Sequence, residues 1–268
     1  MKALIPAAGH GTRFLPVTRV VPKEMLPVGA KPAIQLIVEE ALAAGADEVV
    51  VVVSPEKEIV RRYFDGDPAL APRIRWALQK EQLGLGHAVL QGAPLLAGER
   101  EPVLVLLGDA LVSGEPPSAA MAAISREQGG ASVVGLEEVP PEKVSRYGIV
   151  AGEQIAERVW RLSDLVEKPS PEAAPSRLAI AGRYLLDPAI FGLLATQAPA
   201  TAERYSSPTP YAACWPRGLS AATATPAAAT TSATPPDTSK RWRRLRLHNQ
   251  VSFGKLNALR LARMPGVQ

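Results

Sequence analysis

The chain has one cysteine, Cys214, in 268 residues. No internal disulfide can form, and the count fits a reducing compartment, so the expected location is the cytoplasm. No apolar run approaches the ~20 residues that a bilayer-spanning helix needs. The first residues, Lys2-Ala3-Leu4-Ile5-Pro6, are too short an apolar run for the core of a secretion signal. The chain also lacks the Gly-Lys-Ser/Thr ending of a Walker loop and the glycine spacing of a dinucleotide fingerprint. Internal repeats are absent. Acidic residues are scarce in one place only: residues 200–268 hold 10 Lys and Arg against 2 Asp and Glu, while residues 1–199 hold 20 against 24. The overall charge of +4 is therefore a property of the tail. A nucleic-acid reading would rest on the basic run 241–246 alone, so no nucleic-acid and no membrane partner is expected.

Near the N-terminus stands Gly9-His10-Gly11-Thr12-Arg13-Phe14-Leu15-Pro16, directly after the apolar strand 2–6, with Pro22-Lys23-Glu24 ten residues on. Glycines let backbone N–H groups approach anionic oxygens, and Arg13 and Lys23 supply neutralising charge. A strand, a small-residue loop and two cations make a candidate clamp for a polyphosphate. The remainder, to about residue 199, alternates strand and helix. The pattern predicts helices over 31–44, 56–64, 86–96, 116–128 and 188–194. Strands are predicted over 47–53, 74–78, 103–107, 131–136, 147–150, 159–166 and 179–186. Runs such as Asp47 to Val53, continuously apolar after two acids, mark a strand buried on both faces of a parallel sheet. The fold class is α/β: a Rossmann-like, doubly wound, mostly parallel sheet. In such sheets ligands lie at the carboxyl ends of strands, where the glycine loop and Gly108-Asp109 both fall.

The motif GxGTRFLPxT followed by PKEMLPV resembles the signature of the sugar-phosphate nucleotidyltransferases. The Phe-Leu-Pro and Pro-Lys-Glu-Met wording is similar to the branch that joins UTP to glucose 1-phosphate. The resemblance runs continuously through residues 1–199. It implies that Ala7, Ala8, Gly9, Gly11 and Thr12 contact the nucleotide, that Arg13 holds the outer phosphates, and that Lys23 stabilises charge at the α-phosphate. It implies that Gln79 and Gly84 read the base, the Gln79 amide matching a uracil edge. His87, three residues further, reads as a general base or as a histidine at a helix start; the second is favoured. Asp109 resembles the family's Mg²⁺ ligand. Gly148, Glu167 and Lys168 resemble the sugar-phosphate side, Glu167 accepting from hydroxyls and Lys168 holding the phosphate. The reaction implied is Mg²⁺-dependent uridylyl transfer from UTP to glucose 1-phosphate, giving UDP-glucose and pyrophosphate. A glucose-1-phosphate thymidylyltransferase and a non-catalytic sugar-nucleotide-binding relative are the alternatives. His10, Ala30 and Ala110 depart from the residues common at their positions. The family forms homo-oligomers.

Residues 200–268 read differently, as a low-complexity basic tail with no regular structure. Ala221 to Thr234 is almost wholly Ala, Thr, Pro and Ser, without apolar periodicity. The family's GGEIQLTDAL and RYDIGD are absent. Codons that permit Thr201 to Pro210 also permit Gly-Gly-Glu-Ile-Gln-Leu-Thr-Asp-Ala in another frame. In the same register Ala229 to Thr234 permits Arg-Tyr-Asp-Ile-Gly-Asp, with Thr231 where its first aspartate would stand. Loss of one nucleotide near codons 199–201, in the gene or its sequencing, accounts for all of this, and predicts a chain that is poorly folded, weakly active or inactive, and short of the C-terminal helices expected to cover the sheet and build the family's dimer.

Overall fold

The computed structural model describes residues 1–112, 114–196, 221–225 and 231–232, the last two segments through their backbone. In chain order the elements are β1 (Lys2–Pro6), β2 (Pro27–Val28), β3 (Lys31–Pro32), α1 (Ala33–Ala43), β4 (Glu48–Val53), α2 (Glu58–Asp65), β5 (Ile74–Leu78), α3 (Leu85–Gly92) and β6 (Val103–Leu106). There follow β7 (Ala110–Leu111), α4 (Ser118–Glu127), β8 (Val133–Glu138), β9 (Gly148–Ala156), β10 (Val159–Glu167), β11 (Leu178–Leu186), α5 (Ala189–Thr196), β12 (Ala221–Thr225) and β13 (Thr231–Ser232). The large sheet has the order β5-β4-β1-β6-β11-β8-β12-β10-β9. β5, β4, β1 and β6 are mutually parallel, and β11 runs antiparallel to β6 and β8. The sheet is thus mixed, with most strands pointing one way.

Alternation along the central strands explains why helices cover both faces. Leu4, Val50, Val52, Val103 and Val105 face one core, with Ala88 and Val89 of α3 and Ile190 and Leu194 of α5. Ala3, Ile5, Val49, Val51, Leu104 and Leu106 face the other, with Ile34, Ile37, Val38 and Ala41 of α1, Phe64 of α2 and Met121 of α4. A strand buried on both sides has no polar side to show, which is why β4 reads Glu-Val-Val-Val-Val-Val.

From β1 the chain moves outward to β4 and β5, then returns to the opposite side of β1 as β6. That reversal opens a crevice at the carboxyl ends of β1 and β6. The loop after β1 and Asp109 after β6 both enter it.

Three sequence expectations are adjusted. α1 begins at Ala33 rather than Lys31, because Lys31 and Pro32 pair with Val28 and Pro27 and Pro32 is extended. The strand predicted at 147–150 continues to Ala156; its outer half is exposed and polar and is held by pairing with β10. Within the tail expected to lack regular structure, β12 lies between β8 and β10, and β13 pairs with β7. The rest of that tail, the basic run 241–246 included, lies outside the described residues. No helix among the described residues is long and apolar enough to cross a membrane.

Candidate active site

The loop after β1 leaves the sheet with Ala7 N–H still donating to Val52 O of β4 at 2.8 Å. Gly11 sits at φ +68°, ψ +31° and caps a single 3₁₀ turn, Thr12–Phe14, that carries Arg13. A side chain there would strain the backbone and crowd Thr18 Cγ2 at 3.2 Å and Lys23 Cβ at 3.4 Å. The Thr18 hydroxyl donates to Gly11 O at 2.8 Å. A second 3₁₀ turn, Lys23–Met25, presents Lys23. Gly108 N–H donates to Pro6 O at 3.3 Å, which ties the end of β6 to the end of β1.

These ties bring Lys23 Nζ to 2.7 Å from Asp109 Oδ2. Burial opposes the charge on each, and their mutual attraction overrides it: Asp109 is held below the usual carboxylate range and Lys23 above the usual ammonium value. Both line a cavity of about 400 Å³ with Ala8, Gly9, Gly11, Thr12, Arg13, Gln79 and Gly84. Every residue expected on the nucleotide side therefore lines one crevice except Ala7, which is buried beneath it. The cavity also takes in Phe14, Gln82, Leu85 and Ala88, not singled out from the sequence.

Gln79, 3% exposed, donates through Nε2 to Gly84 O at 3.3 Å and lies 2.9 Å from His87 Nδ1. On its other side His87 Nε2 is 3.0 Å from the Gln91 amide. His87 is thus held between two glutamines and does not line the cavity.

The expected sugar-side residues form a second group, outside the lining of that cavity. Gly148 pairs across the β9–β10 ladder with Glu167, and Lys168 N–H donates to Tyr147 O at 2.9 Å. Both carboxylate oxygens of Glu167 are buried without a hydrogen-bond partner, although Lys168 Nζ stands 3.1 Å from Oε1 as an ion pair. Burial lifts Glu167 above its ordinary pKa against the pull of Lys168. A Cβ at Gly148 would stand 3.3 Å from Glu167 Oε2 and from Leu165 Cδ1, so glycine leaves the carboxylate its place. Tyr184 of β11 is raised by burial and then by the charge of Glu167, which links this group to the centre of the sheet.

Sequence reasoning missed Lys57 and Glu24. Lys57 follows β4, and its ammonium donates to Ala7 O and Gly9 O, both at 2.6 Å, and to Glu24 at 2.8 and 2.9 Å. The available signal was a lysine four residues past a strand's carboxyl end, beside the crevice.

Asp109 is the cavity's one carboxylate, and no cluster of three or more His, Cys, Asp or Glu suited to a metal occurs among the described residues. This donor set fits Mg²⁺, which commonly takes one or two carboxylates and fills its remaining positions with phosphate oxygens and water. It does not fit an ion caged wholly by protein.

The chain matches the profile of the nucleotidyl transferase family over residues 2–211. It is 43% identical to a UTP–glucose-1-phosphate uridylyltransferase of Pseudomonas aeruginosa over 217 residues, 72% of this chain and 77% of that protein. It is 42% identical to one of Bacillus subtilis, covering 73% and 72%. Among solved structures it resembles a UDP-glucose pyrophosphorylase complexed with UDP-glucose, with TM-score 0.66, 39% identity, and coverage of 76% and 81%. It also resembles a UTP-bound enzyme from Acinetobacter baumannii, with TM-score 0.76, 27% identity, and coverage of 98% and 99%. With a glycine loop, a lysine–aspartate pair and the buried Gln79 in one crevice, and with these relatives, the chain belongs to the nucleotidyl transferase family.

Proposed function

We propose that this protein transfers a uridylyl group from UTP to glucose 1-phosphate, releasing pyrophosphate. The observation that carries the reading is the convergence of Arg13, Lys23, Asp109 and the Gly9–Thr12 loop on one cavity. Curated relatives named for this reaction support it. A phosphate oxygen of glucose 1-phosphate attacks the α-phosphorus of UTP; one P–O bond forms as the bond to pyrophosphate breaks. Arg13 neutralises the outer phosphates, and Lys23 moves from Asp109 to the α-phosphate as charge builds there. Mg²⁺ held by Asp109 and the nucleotide phosphates would supply further neutralisation. With Gln79 Nε2 engaged by Gly84, its Oε1 is left to accept the N3–H of uracil. The Glu167 carboxylate, ion-paired to Lys168 through Oε1, suits a sugar hydroxyl at Oε2, and Lys168 suits the sugar phosphate. The test is calorimetric titration with UTP, dTTP and CTP, together with an assay for pyrophosphate released from each in the presence of glucose 1-phosphate. UTP and dTTP, which share the N3–H, bind more tightly than CTP, and pyrophosphate release is fastest with UTP. Equal binding of CTP would sink the base assignment, and tighter use of dTTP would move the chain to thymidylyl transfer.

We also infer that residues 200–268 are an out-of-frame reading. Their composition supports this. So does β13, whose pairing sets Thr231 opposite Leu111, two residues beyond Asp109, in the register where the other frame permits an aspartate. The gene sequence across codons 195–240 decides: a frame that cannot encode Gly-Gly-Glu-Ile-Gln-Leu-Thr-Asp and Arg-Tyr-Asp-Ile-Gly-Asp refutes it.

A further inference from the structure

We infer that Lys57 is a positioning residue for the nucleotide's phosphates, acting from behind the loop that receives them; the inference rests on the reading of the cavity as a triphosphate site. Lys57 is 7% exposed and Glu24 is fully buried. An ammonium has three hydrogens, and here all are spent: on Ala7 O, on Gly9 O and on the Glu24 carboxylate. In a trans peptide the C=O and the following N–H point in opposite directions. Drawing the carbonyls of residues 7 and 9 toward Lys57 therefore turns the N–H groups of Ala8 and His10 away from it. The remaining carbonyl of the stretch, Ala8 O, is capped by Gln82 Nε2 at 2.8 Å. All three carbonyls are thus occupied by N–H donors, so none stands bare to repel a phosphate. A loop whose carbonyls are claimed in this way can offer the amides of Ala8 and His10 to an anion.

The same contact fixes the opposite wall. Glu24 is the neighbour of Lys23, and its Oε1 lies 3.9 Å from Lys23 Nζ. The charges run in alternation, Lys57, Glu24, Lys23, Asp109, with contacts of 2.8, 3.9 and 2.7 Å. When phosphate draws Lys23 from Asp109, Glu24 and Lys57 still hold the turn that carries it. Burial pulls Lys57 below and Glu24 above their usual values, and each partner's charge opposes that pull on the other. Lys57 touches no substrate in this arrangement. It acts through the loop and through Glu24.

The experiment titrates the full chain with UTP by calorimetry and with uridine by NMR, for the wild type, Lys57→Met, Lys57→Met/Glu24→Gln and Lys57→Arg. The double variant removes the carboxylate that Lys57→Met leaves buried and unpaired, and so guards against unfolding; thermal melts accompany every titration. The expected result is a UTP affinity lower by about ten- to hundredfold in both Met variants, the range for losing a group that orients a direct contact. Uridine affinity stays unchanged, and Lys57→Arg recovers part of the loss. A double variant that melts cooperatively and keeps the wild-type ratio of UTP to uridine affinity overturns the inference. So does an equal loss for UTP and uridine, which would show general damage to the pocket. A wild type that binds UTP no better than uridine overturns the triphosphate reading itself, and this inference with it.

Discussion

At the scale of single residues, two side chains give direct tests. Replacing Lys23 with Ala removes the cation proposed to meet the reacting phosphate and leaves Asp109 at the cavity without its partner. UDP-glucose formation should fall by about a hundredfold or more, the usual cost of one oriented charge-stabilising donor, measured by steady-state assay at saturating substrates. Glu167 makes the second case. Its folded pKa lies above the ordinary value of 4.5, so ionising it opposes folding. Its contribution to stability is fully present below the unfolded pKa and is lost as pH rises through the raised folded value. The substitution Glu167→Gln removes that loss. Thermal melts across pH 4 to 8 should show the variant as stable as the wild type at low pH and no less stable at neutral pH, while its KM for glucose 1-phosphate rises. A variant that becomes less stable than the wild type as pH rises would mean that the charge of Lys168 outweighs burial at Glu167. The place of Arg13 at the cavity was legible from its position after Gly-x-Gly-Thr. That of Lys57 was not, because its partner Glu24 is 33 positions away in the chain.

At the scale of elements, α1 and β11 are held together by one buried pair. Arg183 is fully buried and reaches Glu40 at 2.6 and 2.8 Å, while Ser118 of α4 donates to the same carboxylate at 2.5 Å. Removing one partner of such a pair strands a charge. Arg183→Met should lower unfolding free energy by about 3–5 kcal/mol, and Arg183→Met with Glu40→Gln by less, measured by urea denaturation. Equal losses in the two variants would mean that packing, not charge, is what Arg183 provides. Nothing in the sequence pairs these residues, which are 143 positions apart; an arginine amid the apolar run of β11 only says that a counter-charge exists somewhere. The periodicity of α1, β4 and β6 was legible because burial on one or both faces leaves its mark on every residue of the element. The length of β9 was not, since its outer half is polar and owes its extension to β10.

For the whole molecule, the test concerns the tail. A chain carrying the other frame after codon 199 should melt at a higher temperature and form UDP-glucose faster than the chain as it stands, by scanning calorimetry and assay of the two purified proteins. Equal melting and turnover would show that the present tail serves the fold. What the sequence determined by itself is what local pattern can encode: an α/β sheet with buried strands, a glycine loop at a strand end, and the residue types of a phosphate clamp. Only the tertiary structure decided which loops meet. The reversal of strand order around β1 carries Asp109 to Lys23 and Lys57 to the back of the loop, since a parallel sheet sets side by side the carboxyl ends of strands that are far apart in the chain. Hydrogen bonds and ion pairs act over a few ångströms, so such contacts exist only once the sheet has formed.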